Sequence, residues 1–76
     1  MEAIKRLKSL GKRWEKNGVK RLYISEHSLK TVFPDAPKYG KFTNLWIDVE
    51  GSEMGSNKYP IVHFLEEKGV NCIKTK

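Results

Sequence analysis

The side chains able to do chemistry in this chain are two histidines, one cysteine, nine carboxylates and fifteen Lys or Arg. A zinc site needs His and Cys at short spacings, so that one local turn presents two ligands. His27, His63 and Cys72 are too far apart in sequence for that, so no metal and no cofactor are expected. Metal-dependent nucleases hold a divalent cation with acids and keep a lysine beside it. Asp35 followed by Glu66-Glu67-Lys68 echoes that pattern, an acid and then acid-x-lysine. A chain rich in Lys and Glu produces it by chance, and its second half reads as helix where such enzymes use a strand. Asp48 and Glu50 form another acidic pair, but strand alternation sets both on one solvated face. Cys72 falls mid-strand, with nothing in the sequence to place His63 beside it as a base. No catalytic residue is assigned, and the expectation is a protein that binds rather than catalyses.

The cations carry a stronger signal. Residues 1–24 hold eight Lys or Arg against Glu2 and Glu15, whereas the remaining residues hold seven Lys and seven acids. The whole net charge of +6 therefore lies at one end of the chain, an asymmetry that attracts polyanions. On a helical wheel over residues 2–16, Ala3, Ile4, Leu7, Leu10, Gly11 and Trp14 fall on one arc. Lys5, Arg6, Lys8, Lys12, Arg13 and Lys16 fall on the opposite one. A helix over 2–16 would bury Trp14 in the core and present a cationic face suited to a phosphate backbone. Lys5, Lys8, Lys12, Arg13, Lys16 and Arg21 are the expected phosphate contacts. Tyr23 and Trp46 fall on the outward side of their strands, where aromatics stack on unpaired bases or meet a partner. Asp48 and Glu50 on that same side oppose phosphate.

The elements that must position these residues follow from periodicity. Asn17-Gly18 reads as a left-handed stop for the first helix. The same dipeptide is the strongest two-residue hairpin signal, which would pair Glu15 with Lys20 and Trp14 with Arg21 instead. The helix is preferred because it accounts for every apolar position from 3 to 14. Gly11 on its apolar face then implies a close approach to the sheet. Residues 19–25 alternate as a strand, and Ser25 caps a short helix from Glu26 to about Phe33. Pro34 and Pro37 open a turn-rich loop. Residues 43–50 alternate as a second strand, GSEMGSN follows as a flexible connection, and Pro60 starts a third helix that Gly69 stops. Residues 70–74 close the chain as a third strand. The order α-β-α-β-α-β predicts an α+β domain over residues 1–76, with a three-stranded sheet and helices mainly on one face.

Composition sets the remaining bounds. Seventy-six residues allow one core of modest stability. The lone Cys72 excludes an internal disulfide and suits a reducing, cytoplasmic compartment. No apolar run is long enough to span a membrane, and no membrane partner is expected. There is no helix-turn-helix signature, Gly-rich phosphate loop or ribonucleoprotein motif. The expected function is nucleic-acid binding, or binding to a nucleic-acid-bearing complex, through the cationic helix face. The alternative is a protein-interaction module, analogous in size and charge to small phage-encoded inhibitors of host or defence complexes. An edge strand also offers a route to a homodimer.

Overall fold

The computed structural model describes residues 2–50 and 53–75. It contains three helices and one mixed sheet, in the order α1 (Glu2–Leu10), β1 (Lys12–Lys16), β2 (Val19–Tyr23), α2 (Glu26–Val32), β3 (Leu45–Asp48), β4 (Met54–Ser56), α3 (Tyr59–Glu67) and β5 (Cys72–Lys74). The α+β class is as the sequence suggests, but the sheet has five strands rather than three, ordered β1-β2-β3-β4-β5. Only the β4–β5 pair is parallel, joined across α3; the others are antiparallel. No helix among the described residues is long and apolar enough to cross a membrane.

The largest correction lies at the N-terminal end. The helix stops at Leu10, and residues 12–16 are extended. Asn17 and Gly18 both have positive φ, 52° and 79°, the backbone of a two-residue hairpin turn whose twist matches the flanking strands. The pairs Glu15↔Lys20 and Trp14↔Arg21 form across it, each favourable. Gly11 makes the transition sterically feasible: a Cβ there would lie 2.8 Å from the Leu22 Cβ and 3.0 Å from the Ile24 Cδ1. The close approach to the sheet is real, but it marks the end of the helix rather than its packing face.

Two further corrections concern the middle of the chain. The strand expected over 43–50 is shorter, Leu45–Asp48. The connection expected to be flexible contains β4, which pairs with β3 on one side and β5 on the other. Gly51 and Ser52, part of that expected connection, lie outside the described residues. Met54 and Ser56 face the core, and the fully buried Ser56 hydroxyl donates to the Asn44 carbonyl at 2.6 Å. Small residues in MGS give little sequence sign of a strand, because the strand is held by neighbours on both sides rather than by propensity.

All three helices cover the same face of the sheet. Leu7, Leu29, Ile61, Val62 and Leu65 form one cluster with Leu45, Ile47, Met54 and Cys72 from the strands. Ser25 caps α2 as expected, its hydroxyl accepting from the Ser28 N–H at 3.1 Å. Phe33 meets Phe64 edge-on, with ring centroids 5.6 Å apart. The loop after α2 is pinned at Tyr39, whose hydroxyl donates to the Ile24 carbonyl at 2.9 Å and whose N–H donates to Glu26 at 3.2 Å.

No helix among the described residues covers the other face. Its central feature is Trp46, which is directly opposite Gly55 on β4. The indole lies across the bare glycine, so a Cβ at position 55 would overlap the ring. Gly55→Ala should therefore destabilise the domain by about 1–3 kcal/mol, the usual cost of forcing a packed ring aside. Urea unfolding followed by far-UV circular dichroism measures this, and an unchanged midpoint would contradict the packing described.

Candidate nucleic-acid interface

Strand alternation and register assign the uncovered face residue by residue. Lys12, Trp14 and Lys16 of β1 share it with Val19, Arg21 and Tyr23 of β2, Trp46 and Asp48 of β3, Gly55 of β4 and Ile73 of β5. The register brings the aromatic rings together diagonally. Trp14 meets Tyr23 edge-on at 5.8 Å, with the planes at 89°. Arg21 places its guanidinium 4.0 Å from the Trp46 ring centroid, a cation–π contact on a desolvated indole.

This arrangement moves several expected site residues. Trp14 is not beneath a helix; it is 38% exposed on the open face. Trp46 does lie on the outward side of its strand, but it is only 4% exposed, held between Gly55 and Arg21. Its ring is thus covered on both sides, which leaves little surface for the direct stacking expected of it. Tyr23 is half-buried beside Trp14.

The six cations assigned to one helix face are divided by the hairpin. Lys5 and Lys8 stay on α1, in the helical layer. Lys12, Lys16 and Arg21 occupy the open sheet face, and Arg13 alternates onto the opposite side of β1 together with Glu15. Three of the six thus surround Trp14 and Tyr23, while the other three do not. Sequence reasoning missed Trp14 as a surface residue. The Asn-Gly turn carried the signal, since its register sets Trp14 diagonal to Tyr23.

A cleft of about 450 Å³ opens beside Arg21 and Trp46, with Val19 on one side and Asp48, Glu50 and Glu53 contributing carboxylates. Lys20 and Glu50 approach to 3.9 Å, an exposed pair of little energetic weight. Lys12 and Lys16 thus border Trp14 and Tyr23, while the cleft carries three acids together with Lys20 and Arg21.

The remaining chemistry-bearing residues are dispersed. No group of three His, Cys, Asp or Glu among the described residues is placed to share a metal ion. Asp35 is held below its ordinary value by its hydrogen bond to Lys68, at 2.8 Å; the acid and the lysine of the nuclease-like pattern form an exposed ion pair instead. Phe42 has a positive φ of 58° and is 91% exposed, its carbonyl accepting from the Asn57 Nδ2 at 2.6 Å.

Cys72 is buried, and burial, reinforced by Glu66, pushes its thiol up to about 11 from an ordinary 9.0. A neutral buried thiol is a poor nucleophile. Because the folded value is raised, the stability linked to this thiol is intact below about pH 9 and is lost as pH rises toward 11. Alkylation with iodoacetamide at neutral pH should be slow in the native protein and rapid in urea. Equal rates in the two states would place Cys72 at the surface. Compared with protein families, curated proteins and solved structures, the chain matches none of them, so its function is argued from this surface alone.

Proposed function

We propose that this chain is a non-enzymatic, cytoplasmic protein that binds single-stranded nucleic acid on the open face of its sheet. The observation that carries the reading is the exposed Trp14 against the half-buried Tyr23, bordered by Lys12, Lys16 and Arg21 on the face that no helix among the described residues covers. Single strands are bound by this combination, because unpaired bases offer faces to aromatic rings while phosphates follow the cations. A duplex hides its base faces, so Trp14 and Tyr23 favour single strands over double. Lys5, Lys8 and Arg13 add to the long-range field and to encounter rate rather than to the contact itself.

A second reading is favoured by Phe42. An almost fully exposed aromatic, clamped through its carbonyl by Asn57, has the character of an anchor for a pocket on a partner protein. Under that reading the chain is an interaction module or an inhibitor of a larger complex, and Phe42→Ala abolishes partner capture while leaving oligonucleotide affinity intact.

Binding is tested by quenching of tryptophan emission during titration with single-stranded and duplex oligonucleotides at low and moderate salt. Single strands should bind more tightly, with log K falling by about 0.7 per phosphate engaged for each decade of salt. Trp14→Ala should weaken binding about tenfold, the effect of losing one stacked base. Lys12→Glu combined with Lys16→Glu should weaken it further and flatten the salt dependence. Absence of binding by the intact protein at low salt would overturn the proposal.

A further inference from the structure

The geometry points to the cleft beside Arg21 and Trp46 as a subsite for one nucleobase bearing an exocyclic amino group, with Arg21 as its stacking platform and Asp48 as its acceptor. This rests on the single-strand reading and specifies what the second position of that surface takes.

Four observations converge on it. First, Arg21 lies over Trp46 at 4.0 Å and is only half-buried, so its inner side is fixed on the indole and its outer side meets the cleft. A guanidinium anchored over a ring on one side can offer its other side to a base. Second, the Arg21 guanidinium has no hydrogen bond or ion pair among the described residues, although Asp48 is the direct cross-strand partner of Arg21. Its charge is not committed to a carboxylate.

Third, the cleft is about 450 Å³, within the ~300–1,000 Å³ typical of small-molecule clefts. Fourth, its acids are the wrong sign for phosphate and the right chemistry for an amine. One Asp48 oxygen accepts the Glu50 N–H at 2.9 Å, and the other has no partner among the described residues. Carboxylates accept from the cytosine N4 amino group, whereas thymine offers no such donor. This distribution of charge then orients the strand. Its phosphates follow Lys12 and Lys16, and one base turns away from them, across Arg21, toward Asp48.

The experiment compares short oligodeoxycytidine with oligodeoxythymidine of equal length, at neutral pH and low salt, on the intact protein and two variants. The unmodified protein should bind the cytidine strand about tenfold more tightly, the discrimination expected of one good base contact. Asp48→Ala removes the acceptor and should bring the ratio of cytidine to thymidine affinity down to about one, while the lost negative charge raises affinity for both strands. Arg21→Lys keeps the charge but not the plane, and should lower affinity for both strands about tenfold. Far-UV circular dichroism confirms that each variant is folded. Equal affinity for the two strands, a preference surviving Asp48→Ala, or Arg21→Lys binding like the unmodified protein would each overturn the subsite while leaving single-strand binding in place. Failure of the intact protein to bind either strand would overturn both.

Discussion

Two consecutive left-handed residues, Asn17 and Gly18, decide where this protein's charge and aromatic surface lie. Left-handed backbone is unfavourable for most side chains, and Asn and Gly tolerate it best. Once the chain turns there, residues 12–16 must run back along β2, and side chains that would have circled a helix alternate across a sheet instead. Lys12, Trp14 and Lys16 then share one side while Arg13 and Glu15 take the other. The open face exists in its present form because of that reversal.

The economy of a small core explains why one face stays open. The aliphatic side chains of α1, α2 and α3 are consumed in covering Leu45, Ile47, Met54 and Cys72. A chain of 76 residues has little left with which to build a second layer. The central strands still need shelter on their far side, and they obtain it from within the sheet. Trp46 lies on Gly55 beneath Arg21, and Trp14 against Tyr23. Large rings spanning neighbouring strands desolvate the backbone beneath them at low cost in chain length. The same rings remain partly accessible at β1 and β2, where the sheet ends.

Much of this was legible in the residues. Ser25 before Glu26, Pro60 in the first turn of α3 and the alternation through Leu45–Asp48 all fold as their local chemistry suggests. The N-terminal end was harder because two strong local signals conflict there. Apolar spacing from Ala3 to Trp14 favours a helix, while Asn-Gly favours a hairpin, and the choice depends on whether β2 has a free edge to offer. That is a tertiary fact. Likewise β4 is short and contains Gly and Ser, so only its neighbours β3 and β5 reveal it as a strand. The candidate site inherits both difficulties: the six cations expected on one helix face are divided between α1 and the two sides of β1 and β2, and Trp14, expected in the interior, lies on the open face.

The strands stand side by side in the order in which they occur along the chain, with β1 at one border and β5 at the other. No later strand has to wedge between two that have already joined. A growing polypeptide emerging from its N-terminus can therefore lay down the sheet by simple accretion, each new strand docking on the border left by the last. The one parallel step among the described strands, across α3, is also the last along the chain.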